Sequence, residues 1–224
     1  DKGNLAQKIE RQGKLSEKDT RHVAISLARA LRETHKHKIV HRDIKPENTM
    51  IGRDGGYQLA DLGLAKTMTE SSQSKNLTGI NATMGTPHFM PPEQALNAEE
   101  ADIRADIYSL GVSLYQCLTG KLPFMGKTTG EILKKQLNQA PPPIDAFNPE
   151  ASQQVIQIIA KCLAKNPDHR FQSPTELEEA LLNPQEELQT NCNEASPLAL
   201  GKRELIIIGL FLLIIINCAI IFLR

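Results

Sequence analysis

Tryptophan is absent from this 224-residue chain, and tyrosine occurs only three times. Lysine plus arginine and aspartate plus glutamate balance at 26 each, so no excess of positive charge is present. Aromatic platforms and a cationic surface are what a nucleic acid asks of its partner, and their absence argues against that class. The four cysteines, Cys117, Cys162, Cys192 and Cys218, show no C-x-x-C spacing and no neighbouring histidine. They read as unpaired thiols of a reducing compartment, with a cysteine metal site disfavoured. The length allows one good core, or one domain plus an appendage.

Charge is missing altogether from one stretch. "LIIIGLFLLIIINCAIIFL", 205–223, is broken in polarity only by Asn217. As a helix it would cover roughly 28 Å, close to the hydrocarbon thickness of a bilayer. A buried core helix is seldom apolar on every face over five turns, so a single transmembrane helix is expected here. Lys202 and Arg203 precede the run and only Arg224 follows it, which places residues 1–204 on the cytoplasmic side of a cell membrane, single-pass. Asn217 offers a hydrogen bond to a second copy, one route to a homodimer, or is simply tolerated near a membrane edge.

Upstream, Leu5, Ala6 and Ile9 recur at helical spacing, and Ser16 begins a second, longer helix as its N-cap, with Asp19 three residues on in the acidic place of a capping box. Val23, Leu27, Ala30, Leu31 and Thr34 form its expected inward stripe, while Arg21, Arg29, Arg32 and Glu33 face water. The helix should end near His35–His37, where cations suit the dipole. Two short strands, "NTMIG" and "YQLAD", flank "RDGG", a hairpin signal. Lys66 to Gly85 is polar, without periodicity, and reads as a long functional loop. Helices are expected at roughly 105–119, 128–138, 151–165 and 174–183, parted by proline-bearing turns. The expected fold is mainly α with a small β-hairpin, followed by the single transmembrane helix. Residues 1–183 make the domain, 184–204 a polar juxtamembrane linker, and 205–223 the span.

Chemistry concentrates in "IVHRDIKPENTMI", residues 39–51. Asp43, Lys45 and Asn48 share one short loop, and the hairpin returns the chain so that Asp61 could reach the same place. Phosphoryl transfer needs this set: a carboxylate to accept a hydroxyl proton, a cation to balance phosphoryl charge, and oxygen ligands for Mg²⁺.

"HRDIKPEN" resembles the catalytic loop of protein kinases, and "DLG" at 61–63 stands where that family carries D-F-G. "GTPHFMPPE", 85–93, looks like the segment that closes the activation loop. "ADIRADIYSLGVSLYQCLTGKLPF" is similar to the family's buried central helix, and "NPDHRF" to the turn bearing an arginine partner for Glu93. Five motifs in family order across residues 1–183 identify a Ser/Thr protein kinase of the eukaryotic-like bacterial type, represented by its C-terminal lobe.

The resemblance implies roles. Asp43 would orient and deprotonate the substrate hydroxyl, and Lys45 would neutralise charge on the γ-phosphate of ATP. Asn48 and Asp61 would bind Mg²⁺. Thr86 would touch Asp43 and Lys45 and help select serine or threonine. Glu93 and Arg170 would form a buried ion pair, and Asp106 would hydrogen-bond the catalytic-loop backbone, because a lone buried carboxylate is costly. His41 is a packing residue. Arg42 would receive a phosphate on the activation loop, for which Thr78 and Thr83 are the favoured acceptors; the alternative is that the loop hydroxyls serve only solubility. Protein substrates and ATP are the implied partners.

Departures qualify this expectation. Leu62 replaces the family phenylalanine and can fill the same apolar slot, and Pro-Pro-Glu replaces Ala-Pro-Glu. No G-x-G-x-x-G loop is present, so the small N-terminal lobe is missing from these residues. Activity is therefore expected of a full-length parent and little of the fragment. A catalytically inactive scaffold at the membrane is the alternative, and a small-molecule kinase is disfavoured by "GTPHFMPPE".

Overall fold

A computed structural model describes residues 3–60, 66–67, 87–97 and 101–183. The polypeptide begins with α1 (Leu5–Gln12), capped by a reciprocal pair: the Asn4 side chain accepts from Gln7 N–H and the Gln7 side chain accepts from Asn4 N–H. Leu5 and Ile9 are its buried face, and Leu15 follows them into the core. Ser16 then caps α2 (Glu17–Lys36), its Oγ accepting from Asp19 N–H at 3.0 Å. The Asp19 carboxylate does not close a box there; it lies 3.6 Å from Lys8 Nζ instead.

The inward stripe of α2 is wider than expected. Thr20, Val23, Ala24, Leu27, Ala28 and Leu31 are buried, whereas Ala30 and Thr34 are only half-buried. The reason is that α2 packs on two helices, α4 (Ile103–Thr119) and α7 (Pro174–Leu182). Its arginines are also engaged. Arg29 donates to Glu178 of α7 at 2.7 Å, Arg32 bonds the second oxygen of the same carboxylate, and Arg21 donates to Gln154 at 2.7 Å.

Between Ile103 and Thr119 only Arg104 and Gln116 escape burial, so α4 is the core helix around which the rest is built. Its hydroxyls return hydrogen bonds one turn back: Ser109 to Ala105 O, Ser113 to Ser109 O and Thr119 to Tyr115 O. Backbone carbonyls one turn back thus help to satisfy these buried hydroxyls, and Ser109 also reaches Phe89 O outside the helix, at 2.8 Å. At Gly111 an added Cβ would sit 2.6 Å from the Cβ of Cys162, so glycine is what lets α6 (Gln153–Cys162) approach. Cys117 and Cys162 are free and buried, and burial pushes both thiols up to about 12. Two further helices among the described residues are α3 (Pro92–Leu96) and α5 (Thr129–Asn138).

The sheet content of the described residues is small. β2 (Thr49–Ile51) and β3 (Tyr57–Leu59) form an antiparallel hairpin with Ile51 opposite Tyr57. Asp54 Oδ1 accepts Gly56 N–H inside the turn, and Gly55 takes φ 86°. β1 (Ile39–Val40) pairs antiparallel with β4 (Lys66–Thr67). The polar stretch from Lys66 thus starts as a strand and not as coil; residues 68–86 lie outside the described residues. The helices begin or end one to three residues from the limits expected, as at α6. Among the described residues no helix is long and apolar enough to cross a membrane; the run 205–223 and the linker 184–204 lie outside them.

Candidate active site

The site grows from the end of β1. Asp106, wholly enclosed in α4, accepts the main-chain N–H of His41 and of Arg42, each at 2.8 Å. Desolvation pushes its carboxyl up to about 7, opposed by those two N–H donors and by the Arg42 charge. Arg42 has φ 68°, a left-handed conformation that non-glycine residues seldom adopt. Two hydrogen bonds from one rigid carboxylate hold this peptide in place, which is the way a strained loop is made to persist.

Immediately downstream the side chains converge. Lys45 Nζ lies 2.9 and 2.7 Å from the two carboxylate oxygens of Asp43, and Asn48 Nδ2 donates to Asp43 Oδ2 at 2.7 Å and to Asp43 O at 3.0 Å. Asp43 and Lys45 are each about 15% exposed, sheltered but reachable. Ile44 anchors the loop from beneath. The 3₁₀ turn Pro46–Asn48 supplies the geometry: proline presets its first residue, Asn48 N–H donates to Lys45 O, and the Thr49 hydroxyl does the same. With its amide nitrogen turned to Asp43, Asn48 has an Oδ1 that could take a hard cation. Ala60 N–H donates to Asn48 O at 2.8 Å, tying the end of the hairpin to the loop. Asp61 is next to Ala60 in the chain but is outside the described residues, as are Thr78, Thr83 and Thr86.

A second set of contacts fixes the segment after residue 86. Arg170 donates from two guanidinium nitrogens to the two oxygens of Glu93, at 2.7 and 2.8 Å, and also to the carbonyls of Ala164, Arg104 and Lys165. Its side chain is completely enclosed and lies over the Tyr108 ring. Every direction of the fork is used, which is what makes a buried guanidinium tolerable. Phe89 and Met90 from this segment wall a cavity of about 20 Å³ together with Arg42, Asp43, Ile44, Gln94 and Ser109. The segment that leads to Glu93 is thereby placed against the loop that carries Asp43.

Several features had no sequence signal: the strained Arg42 peptide, the β1–β4 pair, and the clamp of Arg29 and Arg32 on Glu178. Each depends on residues far apart in the chain. His41 is fully buried in the core side of the loop, and its Nδ1 lies 3.4 Å from Asp43 N.

The family described as Protein kinase domain matches residues 1–182. The chain is 37% identical to a probable serine/threonine-protein kinase of Streptomyces coelicolor over 73% of its length and 24% of the relative's. It is 34% identical to the serine/threonine-protein kinase PrkC of Bacillus subtilis, over 78% of this chain and 26% of that one. To the serine/threonine-protein kinase PknB of Mycolicibacterium smegmatis it is 35% identical, over 68% and 24%. The chain belongs to the protein kinase domain family. It spans about a quarter of the length of the curated relatives it matches.

Proposed function

We propose that this chain carries the catalytic loop of a serine/threonine protein kinase that transfers the γ-phosphoryl group of ATP to protein hydroxyls. The observation that carries the reading is the convergence of Lys45 and Asn48 on Asp43, at 2.7–3.0 Å. Asp43 would take the proton of the attacking hydroxyl and hold that oxygen in line. Lys45, already beside it, would balance negative charge on the phosphoryl group as it moves. Asn48 and Asp61 would hold Mg²⁺, which lowers the cost of charge on the phosphates; Oδ1 of Asn48 suits a hard cation. Thr86 would help select serine or threonine acceptors.

Regulation is part of the proposal. Arg42 would receive a phosphate carried by Thr78 or Thr83, and its main chain is already fixed by Asp106. The run 205–223, with Lys202 and Arg203 before it, would anchor the protein by one helix, leaving the kinase part cytoplasmic and allowing a homodimer through Asn217. Extraction of membranes with alkaline carbonate tests the anchor, since a spanning protein stays in the pellet.

The activity is tested by incubating full-length protein with Mg²⁺, γ-labelled ATP and a protein acceptor, then identifying the labelled residue. Label on serine or threonine is expected. Label on tyrosine or on small molecules alone contradicts the reading, and no transfer supports the inactive scaffold.

A further inference from the structure

We propose that Gln136 is a positioning residue for the protein acceptor, holding the main chain at His88 in register with the loop that carries Asp43. The proposal rests on the kinase reading above and names what governs acceptor docking at that site.

α5 buries only Ile132 and Gln136, and Gln136 is 0% exposed. A primary amide so placed is costly unless its polar atoms are bonded. Here both are. The amide nitrogen donates to His88 O, and Oε1 accepts the Tyr108 hydroxyl from α4. The main-chain oxygen of Gln136 accepts from Lys165 Nζ at 2.6 Å, and that ammonium lies over the Phe124 ring at 4.2 Å. The His88 ring adds a 3.1 Å contact between Nδ1 and Phe124 O.

Leucine at position 136 would bury as much apolar surface with no polar group to satisfy. What the amide adds is direction: it selects one register of α5 against the 3₁₀ turn Pro87–Phe89. On its other side that turn is held by Ser109, whose hydroxyl donates to Phe89 O at 2.8 Å. Phe89 and Met90 then wall the same cavity as Arg42 and Asp43. Gln136 therefore acts on the segment that shares this cavity with Asp43, without touching Asp43. Because α5 has little apolar anchorage, losing these bonds should loosen the segment locally and leave the core folded.

The test uses full-length protein with Gln136→Met, close in length but without the amide. KM for the protein acceptor should rise roughly tenfold, within what the loss of two buried hydrogen bonds can cost, with KM for ATP and the rate of ATP hydrolysis without acceptor unchanged. Gln136→Glu, which keeps an acceptor for Tyr108 but removes the donor to His88, should behave alike. An unchanged acceptor KM, or a fall in ATP hydrolysis equal to the loss of transfer, overturns the proposal. Should Gln136→Met not fold, Tyr108→Phe supplies the reading: a rise in acceptor KM of about threefold supports the proposal, and none overturns it. A wild type without transfer to protein sinks both readings, whereas wild-type transfer with a variant of unaltered KM sinks this one alone.

Discussion

Asp106 holds Arg42 by its main chain, not its side chain: the carboxylate of the central helix accepts the Arg42 N–H at 2.8 Å, and the His41 N–H at the same distance. The left-handed Arg42 peptide is thereby fixed from below, one residue before Asp43.

This relationship has a pH signature. Burial raises the Asp106 carboxyl to about 7, above its value in an unfolded chain. A raised pKa means that the folded state binds the proton more tightly, so the contribution to stability is fully present below about pH 4 and is lost as pH rises to about 7. The span is of the order of 4 kcal/mol as an upper bound. Stability of wild type relative to Asp106→Asn, from urea midpoints, should fall between about pH 4 and about pH 7 and level off above. A difference that grows with pH would contradict this assignment.

Arg170→Ala should destabilise the protein by about 3–5 kcal/mol, because it strands the Glu93 carboxylate and three main-chain carbonyls at once. Arg170→Lys keeps the charge but cannot reproduce the fork, and should recover less than half of the loss. Denaturant unfolding of the three proteins decides the point.

The clamp on Glu178 should be asymmetric. Glu178 is buried while Arg29 and Arg32 remain more than a third exposed. Replacing Glu178 by leucine leaves two arginines able to hydrate, for a cost of about 1 kcal/mol or less. Replacing both arginines by alanine leaves a buried carboxylate alone and should cost roughly 3 kcal/mol or more. Equal losses in thermal unfolding would show that the three groups act independently.

Much of this architecture is legible in the order of residues. Ser16 marks the start of α2, the stretch at roughly 105–119 reads as a helix, and Asp-Gly-Gly marks the hairpin turn. Each signal is local, a cap, a period or a turn residue, and local signals survive in one dimension. The contact of Asp106 with main-chain N–H groups agrees with the cost of an enclosed carboxylate. Ala24 and Ala28 fall outside the expected stripe of α2 because a period of about 3.6 locates the middle of a buried face but not its width, which the second packing helix sets. The two-residue strands β1 and β4 are too short to show any alternation, and Val40 and Lys66, which pair, stand 26 positions apart. Gln136 gives no warning either, since a glutamine on a short amphipathic helix normally faces water. Its role emerges only when His88, Tyr108 and Lys165 are seen around it.

The most direct test of the account is phosphoryl transfer by full-length protein in which Asp43 is replaced by asparagine. The shape of the loop and its bond to Asn48 can persist, but the proton acceptor is gone, so labelling of the protein acceptor should fall roughly 10²–10⁴-fold with little change in unfolding midpoint. Labelling that continues at the wild-type rate would contradict the central claim that Asp43 is the base.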